Sequence, residues 1–470
     1  MLFSSLTFIL VFLPFNIIAV HFLPLKGQNI LLLATSLLFY SWGEPEYIFL
    51  MLASITANWL FGLLIDRYRR KATAARLLLA AAVVFNLGLL FYYKYFNFFI
   101  NTVSGFVPVD FSEIPAVALP LGISFYTFQS LSYIIDLYRG SCDVQKSWIN
   151  VSLYISFFPQ LVAGPIVRYD DVNRALSYRE LTVEKTAYGL KRFVYGLSKK
   201  VILSNYFGLV TDTVYGLPAA AISTPLAWLV ALLYALQIYF DFSGYSDMAI
   251  GLGSVFGFHF PENFNYPFVS TSVQEFWRRW HISLSTWFRE YLYIPLGGNR
   301  RGRLRTYINL FIVFFATGFW HGASWQFVVW GLVHGIFMVW ERVYFSKILS
   351  RKGFKPFGFV YTAVEVLATF VIFRAPGLRY ALVMLKNMFV PSAGSAAYPV
   401  AQFVDARLVV FVAVGILLSG FLQEKLPLLK QYIFSREVHT LEMLYLPLLY
   451  FICIVSLVSS TYNPFIYFRF

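Results

Sequence analysis

Charge is what this 470-residue sequence has least of: only 13% of its residues are Asp, Glu, Lys or Arg, against roughly 25% in soluble domains. With 59% apolar and 20% aromatic side chains, little of the surface suits water. That excludes a disordered chain, a fibre and an ordinary cytosolic enzyme, and it points to lipid as the solvent. Cysteine is nearly absent. Cys142 and Cys453 supply neither a disulfide framework nor a CxxC metal or redox site, and both are expected to act as small apolar fillers. No P-loop, HExxH or GxSxG occurs, and Gly251-Leu-Gly253 with Gly257 sets its last glycine one position too late for a dinucleotide fingerprint. Metal and cofactor chemistry therefore have no support in the sequence. Met1 to Val20 lacks a basic start and a small-residue cleavage pattern, and the first Lys is Lys26, so this stretch reads as a retained first span rather than a signal peptide.

Apolar runs of near-membrane length fill most of the chain. At 1.5 Å per residue a span takes about 20 residues, and twelve candidates result: roughly 3–22, 29–43, 46–65, 76–93, 118–137, 200–216, 224–250, 306–320, 324–343, 357–374, 406–422 and 441–460. Two further apolar stretches, 149–166 and 265–296, suit a re-entrant or interfacial position. The expected fold is all-α and polytopic, one transmembrane domain over residues 1–470 with no internal repeat.

Lys and Arg number 37 against 23 Asp and Glu, a net +14. On a soluble chain that surplus suggests nucleic acid; here it reads as basic cytoplasmic loops beside anionic lipid. Arg67, Arg69, Arg70 and Lys71 follow the third span, Arg300, Arg301, Arg303 and Arg305 precede the eighth, and Arg342, Arg351 and Lys355 follow the ninth. The loop 94–117 carries Asp110 and Glu113 instead. Both termini then lie outside, which requires 149–166 to dip in and return, because basic residues flank it on both sides.

Three segments carry candidate chemistry. In 272–296, Val273, Phe276, Trp277, Trp280, Leu284, Trp287, Phe288 and Tyr291 form one helical stripe, with Glu275, Arg278, Arg279, Arg289 and Glu290 outside it. This predicts an amphipathic helix at the membrane boundary with His281 at the stripe's edge, either functional or simply snorkelling from an interfacial anchor. Trp320-His321-Gly322 sets a histidine at membrane depth beside glycines that permit a broken helix. Ionisable groups there tend to face a cavity, and neutral imidazole is a capable general base, the alternative being a buried histidine bonded to a carbonyl. Asp241, Ser243 and Asp247 interleave acids and a hydroxyl near the end of the seventh span. They are expected to support the site or to stitch helices together. His21, His259 and His439 sit near span ends, and His334 is expected to make a structural hydrogen bond.

Taken together these segments resemble the membrane-bound O-acyltransferase family, in its bacterial branch acting on polysaccharide and peptidoglycan. The resemblance rests on Pro120-Leu-Gly-Ile-Ser-Phe-Tyr126, Phe158-Pro-Gln-Leu-Val-Ala-Gly164-Pro165, Tyr239-Phe-Asp241-Phe-Ser-Gly-Tyr-Ser-Asp247, Glu275-Phe-Trp-Arg-Arg-Trp-His281, Tyr293-Ile-Pro-Leu-Gly-Gly-Asn299 and Trp320-His321-Gly-Ala. It covers most of the chain. It implies an O-acetyltransferase of the bacterial inner membrane with opposed funnels, His321 as catalytic base, His281 as second functional histidine, and Trp320 in a supporting place. Acetyl-CoA is the implied donor substrate, met by Trp277, Arg278, Arg279 and Arg300. The tail Phe465-Ile-Tyr467-Phe-Arg-Phe470 is similar to one in which the tyrosine, here Tyr467, is proposed to carry the acyl group; an aromatic interfacial anchor is the plainer alternative. Implied partners are an extracytoplasmic SGNH-type transferase or other acyl acceptor, a polysaccharide and membrane lipid, with no nucleic acid. A transporter or flippase of an activated acyl species, a D-alanyl-type transferase and a non-catalytic scaffold are the competing functions.

Overall fold

A computed structural model describes residues 1–107, 114–349, 351–435 and 437–466. Asp110, Glu113 and the candidate carrier Tyr467 lie outside the described residues. Among those described, every regular element is helical, and each of the twelve expected segments coincides with a helix. Among the described residues, seven helices are long and apolar enough to cross a bilayer: Ile48–Arg67, Ala72–Ser104, Thr224–Val255, Trp325–Phe345, Lys355–Arg374, Ala406–Lys425 and Thr440–Ser459. The protein is thus an all-α, polytopic membrane protein. Leu25–Ser41 and Ile123–Arg139 reach 17 residues each, just short of a full crossing by length alone.

Chain contacts group the molecule into two compact units, Met1–Phe193 with Asp247–Pro261, and Val194–Ser246 with Glu262–Phe470. In the first, Ile48–Arg67 and Ala72–Leu90 are stitched by a reciprocal amide pair. Asn58 Nδ2 donates to Asn86 Oδ1 (3.1 Å) and Asn86 Nδ2 to Asn58 Oδ1 (2.7 Å), so both buried amides are satisfied without water. The stretch 149–166 is two short helices, Trp148–Ser156 and Phe158–Leu161, broken at Phe157, where ψ turns to 116°. Neither piece is long enough to cross. Asp247 belongs to this unit, and its Oδ1 accepts from Arg192 Nε (2.8 Å) and Nη2 (2.6 Å). Its role there is a helix-to-helix ion pair.

The second unit holds the candidate chemistry. Its closest helix pair is Gly302–His321 against Trp325–Trp340, brought together by Gly318 and Gly331. A Cβ on Gly331 would run into the Phe314 carbonyl and come within 2.9 Å of Gly318 Cα. Small residues at such crossings let backbones approach where lipid offers no hydrophobic drive. Gly331→Ala is therefore expected to destabilise the protein by about 1–3 kcal/mol through overpacking, seen as a lowered thermal midpoint in detergent.

A candidate active site around two histidines

The stretch 272–296 is not the continuous helix its periodicity predicts. It is Val273–Arg279, then Ile282–Phe288, then a π-helical turn Arg289–Tyr293. The break falls at Trp280 and His281, and His281 has φ 44° and ψ 55°. That left-handed conformation costs a non-glycine residue on the order of 1–2 kcal/mol, and the neighbouring Asn263 holds it in place. The Asn263 carbonyl accepts Ile282 N–H (3.0 Å). Its side-chain Oδ1 accepts Ser283 N–H (3.2 Å) and Ser283 Oγ–H (2.9 Å), and it lies 3.2 Å from His281 Nδ1. Nδ2 of the same amide donates to Ser246 Oγ at 3.1 Å.

Two donors on Oδ1 fix the amide orientation. They therefore assign the His281 proton to Nδ1 and the lone pair to Nε2. His281 has no exposed surface, so it does not snorkel. Burial lowers the pKa of its imidazole, and the ring is neutral at physiological pH.

His321 ends the helix Gly302–His321, and Gly322 leaves it in extended geometry (φ −170°, ψ 151°). The ring is 7% exposed and is boxed by aromatics: Trp320 at 5.0 Å, Trp330 at 5.1 Å edge-on and Phe373 at 5.3 Å between centroids. Forty residues apart in sequence, His281 and His321 stand with ring centroids 6.4 Å apart, and Trp320 flanks both. His321, Trp280, Trp330, Phe370, Phe373 and Ile466 border a cavity of about 20 Å³. That is room for little more than one water-sized group.

A second, much larger cavity, about 980 Å³, is bordered by Arg278, Arg289, Arg342, Gln274, Ser285 and Asn299 at its polar parts and by Trp277, Phe314 and Thr317 at its apolar end. Thr317 lies one helical turn before His321. Trp277 packs 5.8 Å from Trp330, which borders the small cavity, so a ring lining one cavity touches a ring lining the other. Arg279 turns away to Glu275 (2.8 Å) and Glu424 (3.9 Å), and Arg300 is exposed and not among the residues bordering the large cavity. Arg289 and Arg342, expected only on a polar helix face and in a basic loop, border it instead.

Asp241 is 1% exposed and pairs with Lys200, 3% exposed, at 2.6 Å. Asp241 Oδ2 also accepts the Ile466 N–H (2.9 Å), and Lys200 Nζ donates to the Pro464 carbonyl. Ser243 is buried and does not border either cavity. His334 meets Glu365 at 2.9 Å, both essentially fully buried, and packs on Trp277 and Trp330. Lys200, Asn263, Glu365 and Ile466 were not singled out by sequence reasoning. Only Glu365 carried a usable signal, as an acid inside an apolar run.

A polytopic membrane protein with two histidines converging at helix breaks beside a cavity lined by arginines is the architecture expected of an enzyme acting within the bilayer. Residues 144–385 match the membrane-bound O-acyltransferase family. The chain is 41% identical over 392 residues to a probable alginate O-acetylase of Azotobacter vinelandii, covering 83% of this chain and 78% of that one. It is 36% identical over 435 residues to the peptidoglycan O-acetyltransferase of Helicobacter pylori, with 83% and 80% covered. A teichoic acid D-alanyltransferase of Bacillus subtilis is 30% identical over 262 residues, with 53% and 65% covered. The protein belongs to the membrane-bound O-acyltransferase family: it is an acyltransferase and a bacterial multi-pass membrane protein.

Proposed function

We propose that the protein takes an acetyl group from acetyl-CoA on the cytoplasmic face of the inner membrane and passes it outward for O-acetylation of an extracytoplasmic polysaccharide. In this reading the chain makes twelve crossings, and funnels from the two faces meet at His321. The observation that carries the reading is the convergence of His321, His281 and the tail residue Ile466 in the aromatic box described above. The kinship with O-acetylases supports acetyl as the group moved.

The large cavity serves the donor. Arg278, Arg289 and Arg342 border it and suit the phosphates of CoA, because guanidinium pairs with phosphate through charge-assisted hydrogen bonds. Arg278→Ala and Arg289→Ala are each expected to raise KM for acetyl-CoA about 10-fold, the worth of one such bond, with little change in kcat. Initial rates against donor concentration check this.

His321 takes the proton of the acceptor hydroxyl as its oxygen attacks the thioester carbonyl. The C–O bond forms, the C–S bond breaks, and the proton returns from the imidazolium to the departing thiolate, leaving an ester and free CoA. Trp320 packs against both rings, and His281 is a positioning neighbour. We propose Tyr467, the residue after Ile466, as the hydroxyl that carries the acetyl group to a separate extracytoplasmic transferase of SGNH type. A phenol with pKa about 10 needs a positioned base to react at neutral pH.

The test is to reconstitute the full chain and follow thioester loss and protein-bound label from radiolabelled acetyl-CoA. Tyr467→Phe is expected to hold no ester label, and His321→Ala to release no CoA above background. Retained label in Tyr467→Phe removes the carrier role and leaves the base intact.

A further inference from the structure

Residues 462–466, leading into the C-terminal tail, are held one by one. Tyr462 Oη donates to Asp212 Oδ2 (2.7 Å), an acid also paired with Arg374 at 2.6 Å. Asn205 Nδ2 donates to Asn463 Oδ1 (3.2 Å). Lys200 takes the Pro464 carbonyl, Phe465 lies on Tyr245 with centroids 4.8 Å apart, and the Ile466 N–H is bound by Asp241. A buried backbone segment fixed by a buried ion pair is costly to displace. The outcome of all these ties is that one aliphatic side chain, Ile466, 4% exposed, is pressed into the small cavity beside His321.

That cavity is lined elsewhere by Ile238, on the helix Thr224–Val255, and by rings: Trp280, Trp330, Phe242, Phe370 and Phe373. Trp280 stacks on Phe276 (5.4 Å, 16°) and Trp330 meets Phe373 at 5.0 Å, so these walls support one another and have little freedom to yield. About 20 Å³ of free space accommodates something near a methyl group, since about 10–15 Å³ already holds a water. Each further methylene must displace a packed side chain, and interiors resist that.

We infer that Ile466 is the acyl-length ruler of this enzyme: held by the Lys200–Asp241 pair, it admits the methyl of a two-carbon acyl group at His321 and excludes longer chains. The inference rests on the acyl-transfer reading above and adds the residue that sets its donor range. Trimming Ile466 to alanine removes three carbons at the wall that the tail carries. The cavity then has room for propionyl and butyryl groups.

The experiment compares CoA release from acetyl-, propionyl- and butyryl-CoA by the reconstituted full chain, for wild type, Ile466→Ala, Ile466→Val and His321→Ala. One methylene in an apolar pocket discriminates roughly 10–200-fold. Wild type is expected to prefer acetyl- over butyryl-CoA about 100-fold or more in kcat/KM. Ile466→Ala should shrink that ratio at least about 10-fold, and Ile466→Val should raise the propionyl-to-acetyl ratio several-fold. A merely structural role for Ile466 would lower all three donors together and leave the ratios alone. Unchanged ratios in Ile466→Ala with activity retained overturn the ruler. Should that variant be inactive on every donor, an unchanged ratio in Ile466→Val overturns it equally. Equal CoA release by wild type and His321→Ala overturns the acyl-transfer reading itself, which is a different result.

Discussion

His321→Ala is expected to lower kcat for acyl transfer by about 10²–10⁴-fold, the usual worth of a positioned general base, with the helical fold retained in detergent. The reasoning is geometric. His321 is the last residue of its helix, so its removal leaves the turns before it intact. The aromatic walls, Trp320, Trp330 and Phe373, keep their mutual contacts, and the cavity they enclose grows. KM for acetyl-CoA should stay near the wild-type value, because the arginines proposed to hold the donor border another cavity.

His281 gives an informative contrast. His281→Asn keeps a residue type that tolerates the left-handed conformation yet removes the imidazole. A fold that survives with impaired transfer assigns His281 to the chemistry of its neighbour. A loss of stability in His281→Ala that His281→Asn rescues assigns it to the backbone break.

The second large effect is on stability. Lys200→Ala should destabilise the protein by about 3–5 kcal/mol, since removing one partner strands the other as an uncompensated buried charge. Asp241 loses its ion-pair partner, and the Pro464 carbonyl loses a donor. The double variant Lys200→Met with Asp241→Leu strands no charge and should recover much of the loss, since such pairs replaced by apolar residues are often near neutral. It does not restore the tie to Ile466, so transfer should remain impaired although the protein is stable again. Thermal midpoints and CoA release measured on the same three variants separate the two consequences.

Much of this was written locally in the sequence, and the remainder was not for identifiable reasons. Twelve apolar runs fall on helices because membrane depth sets their length and composition. The break at Trp280 and His281 left no local mark: no Gly or Pro stands between 272 and 290, and the apolar stripe stays in phase across it. The break depends on Asn263, reached from 18 residues away. The Lys200–Asp241 pair joins residues 41 positions apart, and nothing in either segment announces the other. Asp241 was expected to support the site or to stitch helices together; it pairs with Lys200 and accepts the Ile466 N–H, contacts unseen in sequence. Arginine placement shows the limit most clearly. The resemblance implied Arg278, Arg279 and Arg300 at the donor, but of these three only Arg278 borders the large cavity, while Arg279 pairs with Glu275 four residues back on the same helix.

In the proposed reaction His321 drives an acetyl group from a CoA thioester onto a hydroxyl of this protein. The most direct measurement is mass spectrometry of the C-terminal peptide after the purified full chain meets acetyl-CoA in lipid vesicles. An acetyl ester on Tyr467 is expected in the wild type, absent in His321→Ala and in Tyr467→Phe. An ester that forms as fast in His321→Ala as in wild type contradicts the claim.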